Sequence, residues 1–516
     1  MSGCPPLATA GGARQFEGAL LVCGTTSDAG KSRLVAGLCR LLARRGVGVA
    51  PFKAQNMSLN STVTRAGHEI ARSQASQAMA ACTEPDVIMG PVLLKPSGPL
   101  TSQLVLMGKP SGEVHFGDEW EPSALLEAVV LPALRQLRAR YQVVLAEGAG
   151  GAAEINLLDR DIANLPLARQ ASLPAVLVAD IERGGVFASL FGTVELLPLQ
   201  LRAQLRGFVI NKFRGETGLL QPGIDELERR LGLPCFGVIP HLGHLPVDEE
   251  DSLALAGASW KTRSPNGHLL DVVIIALPHI SNFTDFSPLE IEGGLALRYV
   301  RCAEALAEPD LVVLPGSKAT VADLSWLRES GLASAVLAAK RRGTALLGIC
   351  GGFQILGGTI EDNVESGAGE VDGLGVLPMV TRFRDEKTTR WREGKATSGE
   401  PVTGYEIHQG QVFPTTGTKE WFWLEGPSGP EAEGVADILA GVWGTSLHGL
   451  FENDELRSSF LSEVARRRNK AFRPSGLRFA AARERMFDLL ATTCERHLDL
   501  ERLFRVIAEA GDKRRQ

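Results

Sequence analysis

The sequence has 516 residues and no C-x-x-C pair among its eight cysteines, which argues against both a disulfide framework and a zinc site. It contains no run of about 18 apolar residues, so we expect no membrane span. Its net charge is −6, whereas proteins that bind nucleic acid usually carry a net positive charge, so no nucleic-acid partner is expected. Residues 1–16 lack the basic start and apolar core of a signal peptide. Together these absences predict a protein of the reducing cytoplasm.

A chain of this length is too long for one hydrophobic core, and its pattern predicts two domains. Alternating strand-like and helix-like segments fill residues 18–245 and again residues 271–458. The polar segment 246–270 is interpreted as a linker, and residues 459–516 as a charged, helical C-terminal tail. The strand candidates are apolar runs without alternation, which is typical of parallel strands covered on both faces. The predicted fold class is therefore α/β, with two doubly wound domains.

A phosphate loop is predicted near the N-terminus, where an apolar strand leads into the segment G-T-T-S-D-A-G-K-S. Gly24 and Thr25 begin this segment, with Thr25 at the usual position of the first glycine. Gly30 lets the backbone approach a phosphate, and the successive N–H groups favour an anion. Lys31 is expected to reach the β- and γ-phosphates, and Ser32 to hold Mg²⁺.

Five further residues at strand ends extend this candidate nucleotide site. Glu147, which ends a strand and precedes G-A-G-G, is a second candidate Mg²⁺ ligand, and Asp180 ends the next strand in a similar place. Lys53 could steady a substrate carboxylate and the phosphoryl group transferred to it, although a surface lysine is the ordinary alternative. Asn211 and Lys212 could contact a purine base, on weaker grounds.

The second half carries a nucleophile elbow around Cys350, in the segment L-G-I-C-G-G. An apolar strand turns sharply into a helix there, and glycines flank the cysteine because larger side chains would clash. The helix N-terminus favours a thiolate. Backbone N–H groups of Gly351 and of Gly316, which lies in a glycine turn after another apolar run, could form an oxyanion hole.

A cysteine nucleophile needs a base within hydrogen-bond distance, and His448 is the best candidate. It ends an apolar, strand-like run, so it can lie at the same sheet edge as Cys350. His408, in the segment G-Y-E-I-H-Q-G, has two equally supported interpretations: it lines the site, or it is a surface histidine.

The first half resembles the dethiobiotin-synthetase-like branch of phosphate-loop enzymes, which carries G-T-x-x-x-x-G-K-[ST] and E-G-A-G-G. That branch phosphorylates a carboxylate or a carbamate. The second half resembles the flavodoxin-like class I glutamine amidotransferase domain, in which the cysteine attacks glutamine. That family usually reads H-P-E, but Gly449 and Leu450 follow His448 here, and Glu452 lies too far along to assume the role of the missing acid. Either another group therefore orients the imidazole or glutamine hydrolysis is slow. The cobalamin-pathway subgroup shares this missing acid, and the resemblance implies that the cysteine is still the nucleophile.

The combination of the two halves resembles two families of cobalamin-pathway amidoligases, the cobyrinic acid a,c-diamide synthases and the cobyric acid synthases. Several stretches resemble the second family, among them 52–57, 91–96, 211–215, 278–286, 314–320 and 404–408. This resemblance implies that ATP, Mg²⁺ and L-glutamine are used to amidate the b, d, e and g carboxylates of adenosylcobyrinic acid a,c-diamide, with the corrin as substrate. The a,c-diamide synthase is the alternative enzyme. A phosphate-loop regulator with an inactive glutaminase-like domain is the alternative of another class.

Overall fold

The computed structural model describes residues 16–98, 100–115, 122–243, 269–415 and 417–512, which divide into two compact units. Among these residues, the first unit contains 16–58, 70–243 and 483–512. The second unit contains 59–69 and 269–482. Each unit is built on a sheet with a parallel core, and the predicted α/β class with two doubly wound domains is confirmed.

The first unit is centred on a six-stranded parallel sheet. Its central strand Gly18–Gly24 is buried at every position, which explains the continuous apolar run in the sequence. The neighbours of this strand are Val143–Glu147 on one side and Ala175–Asp180 on the other. The order across the sheet is Cys235–Pro240, Leu205–Phe213, Ala175–Asp180, Gly18–Gly24, Val143–Glu147 and Val49–Phe52. Because all six strands run the same way, their carboxyl ends bring the predicted nucleotide residues to one edge.

Helices cover both faces of this sheet, and a smaller sheet accompanies it. The smaller sheet contains the strands Gln55–Met57, Val92–Gly98, Thr101–Leu106 and Lys109–His115. The α-helices of this part of the chain are Lys31–Arg44, Arg72–Ala80, Ser123–Leu125, Leu131–Arg140, Leu165–Gln170, Val186–Leu196, Leu199–Arg202 and Gln221–Leu231. A π-helical stretch, Leu126–Val130, joins two of them, and short 3-10 turns lie at Ser27–Ala29, Val87–Met89, Leu158–Arg160 and Thr217–Leu220.

The second unit has a mixed sheet whose parallel part has the flavodoxin-like order 2-1-3-4-5. That part contains Leu295–Val300, Leu270–Ile275, Leu311–Leu314, Ala345–Ile349 and Val442–Thr445, in this order. The sheet continues through Gly429–Asp437, Glu420–Gly426, Met379–Ala396, Thr359–Asp362 and Gly369–Asp372. Pro401–Pro414 pairs with Met379–Ala396 and with the short strand Leu447–His448. This antiparallel extension was not among the sequence predictions.

The helices of the second unit flank the parallel strands. They are Ser287–Glu290, Ala303–Leu306, Thr320–Glu329, Leu332–Arg341, Gly351–Leu356 and Asp454–Arg467, with 3-10 turns at Phe283–Phe286 and Leu450–Glu452. The remaining elements are the short strands Ser61–Val63 and Glu69–Ala71 and the C-terminal helices Phe479–His497 and Leu500–Asp512. Within the described ranges, no helix has the length and apolar character needed to cross a membrane.

The units differ from the expected domains in two places. Most of the expected linker 246–270 lies outside the described residues, because these stop at 243 and resume at 269. Residues 59–69 cluster with the second unit, because their backbone and side chains bond to residues 282–284. The C-terminal helix Leu500–Asp512 is part of the first unit instead of a separate tail. It packs on the strand Gly18–Gly24 so closely that a Cβ atom on Gly18 would clash with the carbonyl oxygen of Ile507.

Candidate active sites

The phosphate-loop segment forms a turn between a buried strand and a helix. Gly30 has φ of 94° and caps the helix Lys31–Arg44, a left-handed conformation that glycine adopts without strain. The ammonium of Lys31 donates hydrogen bonds to the carbonyl oxygens of Thr26, Ser27 and Gly150, at 2.9, 3.0 and 2.9 Å. These are the contacts that an incoming phosphate would replace.

Glu147 is the centre of the polar network beside this loop. One carboxylate oxygen accepts a hydrogen bond from the Ser32 hydroxyl at 2.7 Å and lies 3.1 Å from the ammonium of Lys53. The other oxygen accepts from the side-chain amide of Gln77 at 2.6 Å. Burial alone would raise the pKa of Glu147, but the charge of Lys53 and the hydrogen bonds from Ser32 and Gln77 outweigh it and lower the pKa. The structure therefore brings two predicted residues, Ser32 and Lys53, to the ionised carboxylate of a third, Glu147.

Gln77 was not among the predicted residues. It lies in the helix Arg72–Ala80 and is 1% exposed. The available signal was weak: a glutamine in an alanine-rich helical segment, with nothing in the local spacing to link it to Glu147.

The predicted residues on the far side of the loop form a second group. Asp180 accepts from the backbone N–H of Glu182 at 2.7 Å and from the ammonium of Lys212 at 2.8 Å. The side-chain amide of Asn211 donates to the carbonyl oxygen of Ala29, at 2.8 Å, so Asn211 touches the loop itself. Asp180 is therefore paired with Lys212, and its role as a further Mg²⁺ ligand stays a prediction.

The Ser32 hydroxyl and the Glu147 carboxylate fit Mg²⁺ as a pair of oxygen ligands. Mg²⁺ commonly takes one or two protein oxygens and completes its shell with water and substrate phosphates. Over the residues that the structure describes, no cluster of three or more His, Cys, Asp or Glu side chains could hold a metal ion. The serine–glutamate pair is an arrangement that suits a metal arriving with a nucleotide.

In the second unit, Cys350 occupies a strained turn between the strand Ala345–Ile349 and the helix Gly351–Leu356. Its φ of 50° and ψ of −110° are rare for a residue other than glycine. Its N–H donates to the carbonyl oxygen of Thr445, at 2.7 Å. Such strain, held by the surrounding backbone, is the signature of a nucleophile elbow.

His448 and Asp285 form a buried pair. Nδ1 of His448 lies 2.7 Å from one carboxylate oxygen of Asp285, and the other oxygen accepts from the N–H of Gly449 at 2.8 Å. Burial alone would lower the pKa of His448, but the charge of Asp285 and the hydrogen bond to it, with a smaller contribution from Cys350, raise the pKa to about 10. The imidazole is consequently held as a cation, with Nδ1–H donating to the carboxylate.

Nε2 of His448 is the nitrogen that remains for chemistry. It is buried and makes no hydrogen bond to any residue in the described ranges, and the contribution of Cys350 to the raised pKa indicates that the thiol is its neighbour. The predicted nucleophile and base are therefore brought together in one buried site.

Asp285 was missed at the sequence level. It precedes His448 by 163 positions and lies in the 3-10 turn Phe283–Phe286 after the first strand of this sheet. The segment 278–286 had been noticed only as part of a family resemblance. A carboxylate after one parallel strand and a histidine after another share a sheet edge, which is the signal that could have linked them.

The glycine turn at Gly316 faces the same site. A Cβ atom there would lie 3.0 Å from Cε1 of His448, so a side chain would press on the imidazole. The turn is held by the Ser317 hydroxyl, which donates to Asp323 at 2.6 Å, and by His279, whose Nδ1 lies 2.8 Å from the same carboxylate. Gly351, the other predicted oxyanion residue, packs against this turn, because its Cβ position would lie 2.8 Å from the Ser317 nitrogen.

Two residues of the strand Pro401–Pro414 complete the surroundings. The ring of Tyr405 stacks on His448, with centroids 5.3 Å apart and planes 23° apart. His408 lines a cavity of about 650 Å³ with Phe353, three residues after Cys350. Burial lowers the pKa of His408 to about 4, and its Nδ1 lies 2.8 Å from the carbonyl oxygen of Gly410, so it is neutral. His408 is thus half-buried and borders the nucleophile helix.

The chain matches two family models, one for each half. Residues 20–252 match the CobQ/CobB/MinD/ParA nucleotide binding domain. Residues 271–456 match the CobB/CobQ-like glutamine amidotransferase domain.

The chain also aligns with curated relatives over nearly their whole length. The chain is 49% identical to the cobyric acid synthase of Streptomyces avermitilis, over 96% of this chain and 97% of that protein. It is 47% identical to the cobyric acid synthase of Frankia casuarinae over 96% and 97%, and 42% identical to that of Salmonella heidelberg over 95% and 98%. A solved glutamine amidotransferase aligns with 38% of this chain and 98% of its own at 22% identity and a TM-score of 0.30, which is too low to support an argument.

Proposed function

The chain belongs to the cobyric acid synthase family, and we propose that it amidates the b, d, e and g carboxylates of adenosylcobyrinic acid a,c-diamide, giving adenosylcobyric acid. It is an ATP-dependent amidoligase, and its family membership assigns it to glutamine-dependent amidation in cobalamin biosynthesis. The proposal makes the corrinoid a substrate, with L-glutamine as nitrogen donor and ATP as the source of activation.

The observation that carries the proposal is the presence of two complementary sites in one chain. One unit holds the Lys31–Ser32 loop with the buried Glu147 carboxylate, and the other holds Cys350 beside His448. The first site suits activation of a carboxylate by a nucleotide, and the second suits release of ammonia from an amide.

Activation is needed because ammonia cannot displace the oxygen of a carboxylate directly. Transfer of the γ-phosphoryl group of ATP to a substrate carboxylate gives an acyl phosphate, and attack by ammonia then forms the amide and releases phosphate. The ammonium groups of Lys31 and Lys53 would stabilise charge on the transferring group. Mg²⁺, held by Ser32 and Glu147, would supply further neutralisation of phosphate charge when bound. Asn211 and Lys212 remain candidates for contact with the base.

Ammonia would come from glutamine at Cys350. The thiolate attacks the side-chain amide carbon, the C–N bond breaks, and the His448 imidazolium gives its proton to the departing ammonia. Backbone N–H groups at Gly316 and Gly351 would bind the oxyanion of the tetrahedral intermediate. Water then hydrolyses the thioester and gives a proton to the neutral His448, which releases glutamate and restores the thiolate and the imidazolium. The raised pKa of His448 supports this role, because the acid must be protonated when ammonia leaves.

The proposal is tested by a mass spectrum of the corrinoid after incubation with adenosylcobyrinic acid a,c-diamide, glutamine, ATP and Mg²⁺. We expect a product with four new amides. An unchanged corrinoid would contradict the proposal. Amidation of cobyrinic acid instead would indicate the a,c-diamide synthase, and no glutamate release with any corrinoid would indicate a regulator.

A further inference from the structure

One segment of the second unit comes from the sequence of the first half. Leu59–Glu69 lies between the strand Gln55–Met57 and the helix Arg72–Ala80, yet it clusters with residues 269–482. Asn60, Ser61 and Glu69 are each 1% exposed or less. A polar segment buried this deeply must have its hydrogen-bonding groups satisfied, so its partners are informative.

The first set of partners is the turn that carries Asp285. The N–H of Ser61 donates to the side-chain oxygen of Asn282 at 3.0 Å, and the N–H of Asn282 donates to the carbonyl oxygen of Leu59 at 3.4 Å. The hydroxyl of Thr284 donates to the side-chain oxygen of Asn60, at 3.0 Å. Asn282 has φ of 52° and begins the 3-10 turn in which Asp285 lies. The segment therefore fixes the two ends of the short stretch that precedes the carboxylate.

The second set of partners reaches the other side of His448. The hydroxyl of Tyr405 donates to the carbonyl oxygen of Ser61, at 3.0 Å, while its ring stacks on the imidazole. Val63 packs with Tyr405 and Ile407 in a small apolar cluster. The carbonyl oxygen of Ile407 lies 3.9 Å from the sulfur of Cys350. One segment thus contacts the supports of the base on two faces.

The segment is itself anchored by a buried carboxylate. Glu69 accepts from the hydroxyl of Ser61 at 2.9 Å and from the ammonium of Lys387 at 2.7 Å. The side chains of Lys387 and Glu69 are 8% and 1% exposed, so water screens this pair little. The position of Ser61 is consequently determined by contacts within the unit.

We propose that Leu59–Glu69 is a positioning element of the glutaminase, which holds Asp285 and Tyr405 against His448 so that the imidazolium is aligned with Cys350. This inference rests on the proposed glutamine hydrolysis at Cys350. If this inference holds, residues 271–458 alone do not form a complete glutaminase. The segment that aligns His448 with Cys350 then comes from the amidoligase half of the sequence.

The test compares Thr284→Val, which removes the hydroxyl at nearly the same volume, with Thr284→Ser, which keeps it. Tyr405→Phe is the second variant, because it removes the bond to Ser61 and keeps the stacked ring. Arg65→Ala is the matched control, since Arg65 belongs to the same segment and its side chain is 65% exposed. Glutamate release and amidation with free ammonia are measured for the full chain, over a range of pH.

We expect Thr284→Val and Tyr405→Phe to lower kcat for glutamate release by roughly ten- to hundredfold, with little change in KM, because small misalignments of a catalytic group cost about that much. The fall in activity at high pH should move to lower pH in both variants, while Thr284→Ser and Arg65→Ala retain the wild-type kcat and profile. Amidation with ammonia should be unchanged in all four.

Unchanged kcat and pH profile in both Thr284→Val and Tyr405→Phe would overturn the inference, and so would a parallel loss of ammonia-dependent amidation, which would indicate general damage. Failure of the wild-type chain to release glutamate would instead overturn the proposed function.

Discussion

The carboxylate of Asp285 lies 2.7 Å from Nδ1 of His448 and also accepts the N–H of Gly449, so it fixes both the ring and the backbone of the base. In an H-P-E sequence, the acid two positions after the histidine orients the imidazole. Here Gly449 and Leu450 follow the histidine, and the acid comes from a turn after the first strand of the sheet. The missing acid therefore does not by itself imply an inactive glutaminase domain.

The variant Asp285→Asn should lower kcat for glutamine hydrolysis by about 10²- to 10⁴-fold, because the neutral amide neither stabilises an imidazolium nor enforces its orientation. Amidation with free ammonia should persist, since it bypasses the thiol. Glutamate release and ammonia-dependent amidation, measured on the same preparation, check this expectation. Glu452→Gln is the matched control, because Glu452 is the nearest acid after His448 in the sequence and should not be required. Equal losses in the two variants would contradict the role assigned to Asp285.

The pH dependence of glutamine hydrolysis should reflect the pKa of His448 as it is set by Asp285. The pKa of His448 is raised to about 10, so the imidazolium that protonates ammonia is present below that pH and is lost above it. We expect kcat for glutamate release to fall as the pH rises through about 10 in the wild type. In Asp285→Asn the fall should occur at lower pH, because the charge that raises the pKa has been removed. An alkaline limit at the same pH in both proteins would exclude His448 as the group that titrates.

The contrast between Cys350 and Asp285 explains how much of this site the sequence could predict. Cys350 and Lys31 lie in short segments whose glycine spacing is dictated by one local turn, so a pattern identifies them. Asp285 is linked to His448 across 163 positions, and only the strand order brings them together. Leu59–Glu69 is a similar case, because sequence continuity assigns it to the first domain while its hydrogen bonds assign it to the second unit.

In the nucleotide half as well, the sequence predicted single residues better than it predicted their partners. Ser32 follows the strand Gly18–Gly24 and Glu147 ends the neighbouring parallel strand, and this pairing brings the Ser32 hydroxyl within 2.7 Å of the Glu147 carboxylate. Asp180 ends the strand on the other side of Gly18–Gly24, where it accepts a hydrogen bond from Lys212, a partner that the sequence did not predict. The partners of a carboxylate depend on side chains from other strands, which no local pattern specifies.

The buried pair of Lys53 and Glu147 predicts a non-additive effect on stability. Lys53→Met should destabilise the fold by about 3–5 kcal/mol, because it leaves the Glu147 carboxylate buried without its cation. The double variant Lys53→Met, Glu147→Gln should recover a large part of that loss. The free energy of unfolding from urea titrations of the two single variants and the double variant gives the coupling. Additive losses would show that Lys53 does not stabilise the carboxylate.

The pKa of Glu147 is lowered on folding, so this carboxylate contributes stability above its unfolded pKa of about 4.3 and loses it as the pH falls through the folded value. In Lys53→Met the carboxyl should instead bind a proton on folding. The destabilisation caused by this substitution should therefore be smaller near pH 4 than at pH 7. Urea titrations at the two pH values check the sign.

Lys31→Ala should abolish amidation with either nitrogen source, because the charge on the transferring phosphoryl group is no longer balanced at the loop. Basal glutamate release is the internal control, since Cys350 and His448 lie in the other unit. Lys212→Ala, which removes a lysine paired with Asp180 at the edge of the same site, should lower the affinity for ATP more than the rate at saturation. Retained amidation in Lys31→Ala would overturn the phosphate-loop assignment.

The most direct measurement is a mass spectrum of the corrinoid made with glutamine labelled with ¹⁵N in the side-chain amide, in the wild type and in Cys350→Ala. We predict four ¹⁵N amides on adenosylcobyrinic acid a,c-diamide in the wild type. In Cys350→Ala we predict none from glutamine but the same product from ¹⁵N-ammonium. Labelled product from glutamine in Cys350→Ala, or no amidation of this corrinoid by the wild type from either source, would contradict the account.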